Sequence, residues 1–267
     1  MKNSYKIIDS HCHIYPDKLA EKAAKGISEF YYGMPMDGDG SVGRLLNVGT
    51  AAGVDKFVVC SVATAPGQVT GINNFIAEAV RASQGAFIGL GTLHPDGADP
   101  EGDIRRIKAL GLKGVKLHAD IQRIAIDDPR CFKLYELLQG DLPVLLHTGD
   151  GRYGYSNPGN LIPVLDTFKK LTVIGAHYGG WSVWEEAAHR LSRYENLYVD
   201  TSSTFGCKGL EFIKNLLPKY DAGRVLFGSD YPMWNPVSEL NALFALNLPD
   251  AVYRKILSEN CARVYSL

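Results

Sequence analysis

Short apolar runs recur along the chain, separated by stretches in which apolar residues return every three or four positions. The first pattern predicts strands buried on both faces and the second predicts amphipathic helices. Strands are expected at 5–11, 56–62, 86–91, 114–118, 142–147, 172–177, 197–201 and 224–228. Helices are expected at 17–31, with Asp17 as N-cap, and at 42–52, 73–83, 100–110, 128–138, 161–168, 181–194, 210–217, 237–246 and 251–258. Strand and helix alternate through the whole length, which predicts an α/β fold, a (β/α)8 TIM barrel, formed by a single domain over 1–267. The competing open, doubly wound sheet would use fewer strands and, for a dinucleotide, a glycine-rich first turn. Here no GxGxxG follows the first strand; that strand ends in His11-Cys12-His13.

The histidine pair gives the barrel its chemistry. Side chains alternate along a strand, so His11 and His13 point to one side and Cys12 to the other, where packing is its ordinary role. Asp9 shares the face of His11 on the same rule, either supporting a ligand or tying a polar network at the barrel base. Further polar residues close other strands: Lys116 and His118, His147, His177 and Asp230. In a barrel those ends meet at one mouth, which predicts a metal site at the C-terminal ends of the strands. Any one histidine could be a satisfied buried imidazole. His11, His13, His147 and Asp230 together fit a nitrogen- and carboxylate-bound divalent ion, zinc or another such as Mn2+. Such an ion acidifies bound water and polarises a substrate oxygen. Asp230 is then both ligand and proton acceptor, and His177 a general acid or base or an oxyanion partner.

Around that core lie candidates for substrate binding. Lys116 is a substrate anchor, a bridge to a second ion if carboxylated, or simply the partner of an acid. His118 is a substrate contact or a loop-base hydrogen bonder. Arg152 offers a two-pronged grip on a carboxylate, and Tyr153 a wall for a ring, although both fall in the glycine- and tyrosine-rich loop 148–159 and could be solvent-exposed. The loop 33–43, holding Met34, Pro35 and Met36, is placed to overhang the mouth. Residues 231–234 offer another apolar wall, and Gly179-Gly180 a weak signal for free backbone N–H groups.

Composition narrows the partners. Of 267 residues 46% are hydrophobic and 21% charged, and 28 Lys+Arg against 29 Asp+Glu leave a net charge of -1. Neither nucleic acid nor an anionic membrane surface is then expected as the main partner. No apolar run is long enough to span a bilayer, and the opening residues carry no signal-like segment. The five cysteines are scattered, odd in number and without a CxxC, which suits reduced thiols and a cytoplasmic setting. A small-molecule substrate is the expected partner, with a carboxylic acid as one candidate class.

Five motifs, taken in order, resemble the amidohydrolase superfamily, in particular the amidohydrolase-related branch that contains aminocarboxymuconate-semialdehyde decarboxylase, other ring-acid decarboxylases and hydrolases. They are Ile8-Asp9-Ser10-His11-Cys12-His13, Gly114-Val115-Lys116-Leu117-His118, Val144-Leu145-Leu146-His147-Thr148-Gly149, Ile174-Gly175-Ala176-His177-Tyr178-Gly179-Gly180 and Val225-Leu226-Phe227-Gly228-Ser229-Asp230-Tyr231-Pro232. The resemblance implies that His11, His13, His147 and Asp230 bind one ion and that His177 is catalytic, with a second ion if Lys116 is carboxylated. Dimers are common in that family, so a homodimer is one expectation. The reading placed first is metal-dependent hydrolysis of a small ester, lactone or amide by activated water. The alternative is non-oxidative decarboxylation of a small unsaturated or aromatic acid at the same ion. A non-catalytic binding barrel comes third, because the ligand set is intact.

Overall fold

A computed structural model of the protein describes residues 5–267; the first four residues of the expected span 1–267 lie outside the described residues. Nine parallel strands are found among the described residues: β1 (Ile8–His13), β2 (Lys56–Cys60), β3 (Phe87–Gly89), β4 (Gly91–Thr92), β5 (Val115–Leu117), β6 (Val144–Leu146), β7 (Val173–Gly175), β8 (Leu197–Asp200) and β9 (Val225–Leu226). They run in the order β1-β2-β3 and β4 through β9. β3 and β4 are one barrel position broken at Leu90: the Leu90 N–H donates to the Val59 carbonyl, and the next N–H, of Gly91, turns to Gly114. Closure runs from the end of β9 back to β1. Ser10 N donates to Phe227 O at 2.8 Å, Asp230 N to His11 O at 2.8 Å and His13 N to Tyr231 O at 2.6 Å. The ring is the expected (β/α)8 TIM barrel.

Neighbouring residues on each strand feed two different cores, which is why the runs read as continuously apolar. Ile8, Val58, Ile88, Leu145, Ile174 and Leu226 fill the barrel interior. Ile7, Val59, Val115, Val144, Val173 and Val225 pack outward beneath the helices. The interior is completed by Cys261 and Tyr265 of the last helix, Asn260–Tyr265.

β1 departs from strict alternation. Its register with β2 shifts between Asp9 and Cys12. Ile8 therefore faces the inner core, while Cys12, four residues on, joins the outer one. An extra residue of this kind re-aims the side chains that follow it, as bulges near active sites commonly do. The carboxylate of Asp9 ends on backbone: Oδ1 accepts the N–H of Ser229 at 2.9 Å and of His11 at 3.2 Å. It pins β1 to the loop after β9 and touches no histidine ring.

The helices that matter for the mouth are α1 (Asp17–Phe30), α2 (Val42–Ala52) and α3 (Val69–Ala82). Asp17 is the first helical residue of α1 rather than its cap, a position held by Pro16. α4 (Pro100–Ala109), α5 (Ala119–Gln122), α6 (Pro129–Leu138) and α7 (Pro158–Thr167) follow. The helix expected over 181–194 is shorter, α8 (Trp184–Leu191), because Gly180 is extended and Ser182 takes a φ of 68°. α9 (Thr204–Lys208), α10 (Leu210–Leu216) and α11 (Pro236–Phe244) complete the outer ring with the C-terminal helices. No helix among the described residues is long and apolar enough to cross a membrane.

α11 buries one acid, Glu239, at 2% exposure, and its Oε2 finds no hydrogen-bond partner. Burial first, then the charge of Asp9, pushes its carboxyl up to about 9 from 4.5. The group is neutral when folded and ionised when unfolded over that interval, so it weakens the fold progressively as pH rises from about 4.5 to about 9. Glu239→Gln, a neutral isostere, is expected to raise the thermal midpoint at pH 8 and leave it unchanged near pH 4. Melting curves of both chains across that range check the sign.

Candidate metal centre and active site

His11 stands where β1 meets the mouth, fully buried. Its Nδ1 lies 2.9 Å from Asp200 Oδ2 and 3.1 Å from Ser202 Oγ. Burial, and then the neighbouring Lys116, lower its pKa to about 4, so the ring is neutral at pH 7. A neutral ring that donates Nδ1–H to Asp200 has a free lone pair on Nε2. That Nε2 faces His13 Nε2 at 3.2 Å, Asp230 Oδ1 at 3.5 Å and Lys116 Nζ at 3.1 Å. Asp230 Oδ1 is also 3.5 Å from His13 Nε2. Two imidazole nitrogens and a carboxylate oxygen thus form a triangle of ligand-type atoms, with a carboxylate behind the first imidazole. A borderline divalent cation is held in this way.

The same histidine belongs to a second group. His11, His177 and Asp200 place ligand-type atoms all within 4.8 Å of one another, as do His11, His13 and Cys60. The Cys60 thiol lies 3.7 Å from His13 Nδ1. Burial alone would depress the His13 pKa, but Cys60 and Asp230 raise it to about 9. Asp230 and Asp200 would be pushed up by burial, yet the facing His11 ring and further partners hold both well below the usual carboxylate range.

His147 sits with a third group, His118 and Asp120, also within 4.8 Å. Its ring stacks on His118 with centroids 3.8 Å apart and planes 7° apart. It joins the first triangle through His177, whose Nε2 is 3.1 Å from His147 Nδ1 and whose ring stacks on His11 at 5.4 Å. His177 Nδ1 in turn faces the Ser202 carbonyl at 3.1 Å. Burial lowers the pKa of His118, His147, His177 and Lys116 alike. Two site residues leave their strands in the left-handed region, His177 at φ 58° and Asp230 at φ 61°. Such conformations cost roughly 1–3 kcal/mol each in a non-glycine residue and concentrate at functional sites.

The other predicted residues divide. Lys116 is fully buried inside the barrel, its Nζ against His11. His118 makes the loop-base hydrogen bond, its Nδ1 accepting the Ile121 N–H at the start of α5, and its ring lines the cavity above the site. Arg152 does not reach that cavity, which corrects its role as a substrate clamp. Its guanidinium is spent on buried Asp150, at 2.6 Å from Nη2, and on the Phe30 carbonyl, at 2.7 Å from Nη1. Five aromatic rings surround it, from Phe30 at 4.8 Å to Trp181 at 5.4 Å. Tyr153 stacks behind Phe30 at 5.6 Å, a layer removed from the cavity. The N–H groups of Gly179 and Gly180 donate to Ala176 and His177 and are not free for a ligand. The loop 33–43 does overhang the mouth: Met36 lines the cavity, and Asp37 and Gly38 bond to Met233 and Pro232.

The site also takes in Asp200, Cys60, Asp120 and Tyr31, to which the sequence alone gives no role. Asp200 closes β8 as the histidines close theirs, so the rule that picked out polar strand ends finds it too. Tyr31, whose hydroxyl lies 3.3 Å from His118 Nε2 and 3.5 Å from His147 Nε2, comes from the end of α1 and has no such signal.

The cavity holds about 680 Å3, within the range of whole small-molecule sites. Its floor includes His11, His13, His147, His177 and Asp230. Its walls are mainly apolar, and no lysine or arginine is among the described residues that line it.

A model of the family described as Amidohydrolase matches residues 8–267. No curated protein matches the sequence. Among solved structures, an uncharacterised TIM-barrel protein from Bordetella bronchiseptica is similar over 98% of both chains, at 22% identity and a TM-score of 0.78. A 5-carboxyvanillate decarboxylase from Novosphingobium aromaticivorans, complexed with manganese and 4-hydroxy-3-methoxy-5-nitrobenzoic acid, is similar over 99% of this chain and 97% of its own, at 18% and 0.74. A probable 2-pyrone-4,6-dicarboxylic acid hydrolase from Acinetobacter baumannii, with citric acid bound, is similar over 98% and 100%, at 15% and 0.71. At these identities the likeness is one of fold.

Proposed function

The chain belongs to the amidohydrolase family and is a metal-dependent enzyme; from that premise we propose that it removes carbon dioxide, without oxidation, from a small unsaturated or aromatic carboxylic acid. The observation that carries this reading is the apolar cavity set directly over the His11, His13 and Asp230 triangle. A carboxylate drawn into such a space gives up hydration, and departure as neutral carbon dioxide relieves that cost. The named decarboxylase, with its manganese and its aromatic acid, supports the same order of readings, and so reverses the preference for hydrolysis drawn from sequence alone.

His11, His13 and Asp230 would hold the ion, with His147 of the same cavity as the fourth candidate. A divalent cation there supplies a Lewis-acidic point that orients a substrate oxygen and draws off developing charge. Asp200 keeps the His11 Nε2 lone pair aimed at the cluster. The carbon–carboxylate bond breaks, its electron pair stays on the substrate carbon, and one proton is delivered to that carbon. We assign that delivery to His177, which lines the cavity: the ring, neutral at rest because burial lowers its pKa, takes one proton from solvent and passes it to the carbon. We read 1–267 as one catalytic unit.

Hydrolysis of an ester or lactone stands as the second reading, favoured by Lys116. Its amine lies 3.1 Å from His11 Nε2, where a carboxylated lysine would serve a second ion. Metal analysis of protein purified without added metal, followed by paired assays, separates the two. About one zinc or manganese per chain, with metal-dependent carbon dioxide release from an unsaturated or aromatic acid, supports decarboxylation. Two ions per chain, with lactone or ester turnover and no carbon dioxide, replaces it by hydrolysis. Protein that neither retains nor regains an ion overturns both.

A further inference from the structure

One wall of the cavity comes from α1 through Leu19, Ala23, Ile27 and Phe30, spaced so that they share one helix face, and another from α3 through Ile72 and Phe75. The apolar lining continues to the rim, where Leu19 stands 54% exposed. Each helix carries a glycine that also lines the cavity: Gly26 in α1 and Gly71 in α3. Both lie inside helices, where glycine costs roughly 1 kcal/mol against alanine. Neither takes a positive φ, and a Cβ built on either meets nothing within 4 Å. Backbone conformation and packing therefore give no reason for glycine at these two positions. What they share is a place: both are exposed residues at the edge of one cavity, with open space where a side chain would stand.

We infer that the slot between α1 and α3 binds an apolar chain or ring of an otherwise monoanionic substrate, and that Gly26 and Gly71 set its width. The inference rests on the reading above for the position of the acid head, over the metal cluster, and adds the chemistry of the rest of the molecule. No lysine or arginine among the described lining residues pairs with a second carboxylate. A second negative charge in the slot is desolvated without compensation, whereas each methylene placed there gains.

The test is calorimetric titration of the zinc-loaded protein with butanoate, octanoate and dodecanoate, and with suberate as the dicarboxylate of octanoate length. These saturated acids are not activated for loss of carbon dioxide, so binding is read apart from turnover. Affinity should rise with chain length, by up to roughly fourfold per methylene that is fully buried, and suberate should bind at least about tenfold more weakly than octanoate. Gly26→Leu and Gly71→Leu should each weaken octanoate and dodecanoate by about tenfold or more while leaving butanoate, metal content and the thermal midpoint intact or the midpoint raised. The alanine variants should give an intermediate weakening. Affinity that is flat with length, suberate equal to octanoate, or leucine variants that bind dodecanoate like the parent would overturn the inference. A ladder that climbs in a protein releasing no carbon dioxide from any acid leaves the slot standing and removes the decarboxylase reading; the converse result does the opposite.

Discussion

His11→Ala is expected to strip the chain of its ion and of turnover together. The His11 Nε2 atom is the point on which His13, Asp230 and Lys116 converge. Removing it leaves two ligand-type groups where three stood and the Lys116 Nζ with no imidazole to face. Loss of a partner that merely supports a ligand costs roughly 10–100-fold in metal affinity, so loss of the ligand itself should exceed that. Metal per chain after dialysis should fall below about a tenth of the parent value, and kcat/KM by about a thousandfold or more. The parent should also show a pH signature. His13 holds a proton up to about pH 9 in the metal-free chain, and an ion must displace it. Apparent affinity for zinc should therefore climb from pH 7 to pH 9, by up to about tenfold per unit, and level off above. Competition titrations with a zinc indicator at three pH values measure both effects; a variant that keeps its metal, or an affinity flat with pH, contradicts this account of the centre.

Asp200→Asn should do its damage through position. Asp200 touches no cavity, yet its two oxygens serve four donors: Oδ2 takes His11 Nδ1, and Oδ1 takes the backbone N–H groups of His177 and Ser202 and the Ser202 hydroxyl. An asparagine offers one oxygen and one NH2, so in either orientation a donor is turned on a donor. Leaving a buried donor of this network unsatisfied costs about 1–3 kcal/mol. Denaturant unfolding of the metal-free chain should register most of that, and metal affinity should drop roughly 10–100-fold. The direction with pH is fixed by the depressed carboxyl. Asp200 stabilises the fold above the usual carboxylate range, and the contribution is lost as pH falls through its lower folded value. The gap between parent and variant should therefore close in acid. A variant equal to the parent in stability and zinc affinity at pH 7 would remove Asp200 from the positioning role.

The barrel was legible because its strands are covered on both faces. Runs such as 142–147 and 172–177 have no polar alternation, and each ends in a histidine, so strand and mouth can be read from the same few residues. Where the reading failed, the cause lies in contacts between distant parts of the chain. Nothing near Arg152 announces that Phe30, Tyr31 and Tyr32, some 120 positions earlier, will surround it and that Phe30 will offer its carbonyl. The late start of α8 follows from an extended Gly180 and a left-handed Ser182, both set by the turn that presents His177. The third strand divides at Leu90 because its hydrogen bonds change partner there, which no pattern of apolar residues encodes. His147 shares the cavity floor with His11, His13 and Asp230, but its nearest group is His118 and Asp120, a distinction invisible to spacing.

The apolar slot has a kinetic side as well. An ion travels with its hydration shell, and a passage walled by Leu19, Ile27 and Phe75 offers that shell little to exchange with on the way to the histidines. Dehydration en route is then expected to limit loading and release, so the centre should exchange its metal slowly even where its equilibrium affinity is ordinary. Chelators inherit the same filter: a flat, uncharged aromatic one shares the character of the passage, whereas a polyanionic one must wait for the metal to come out to it.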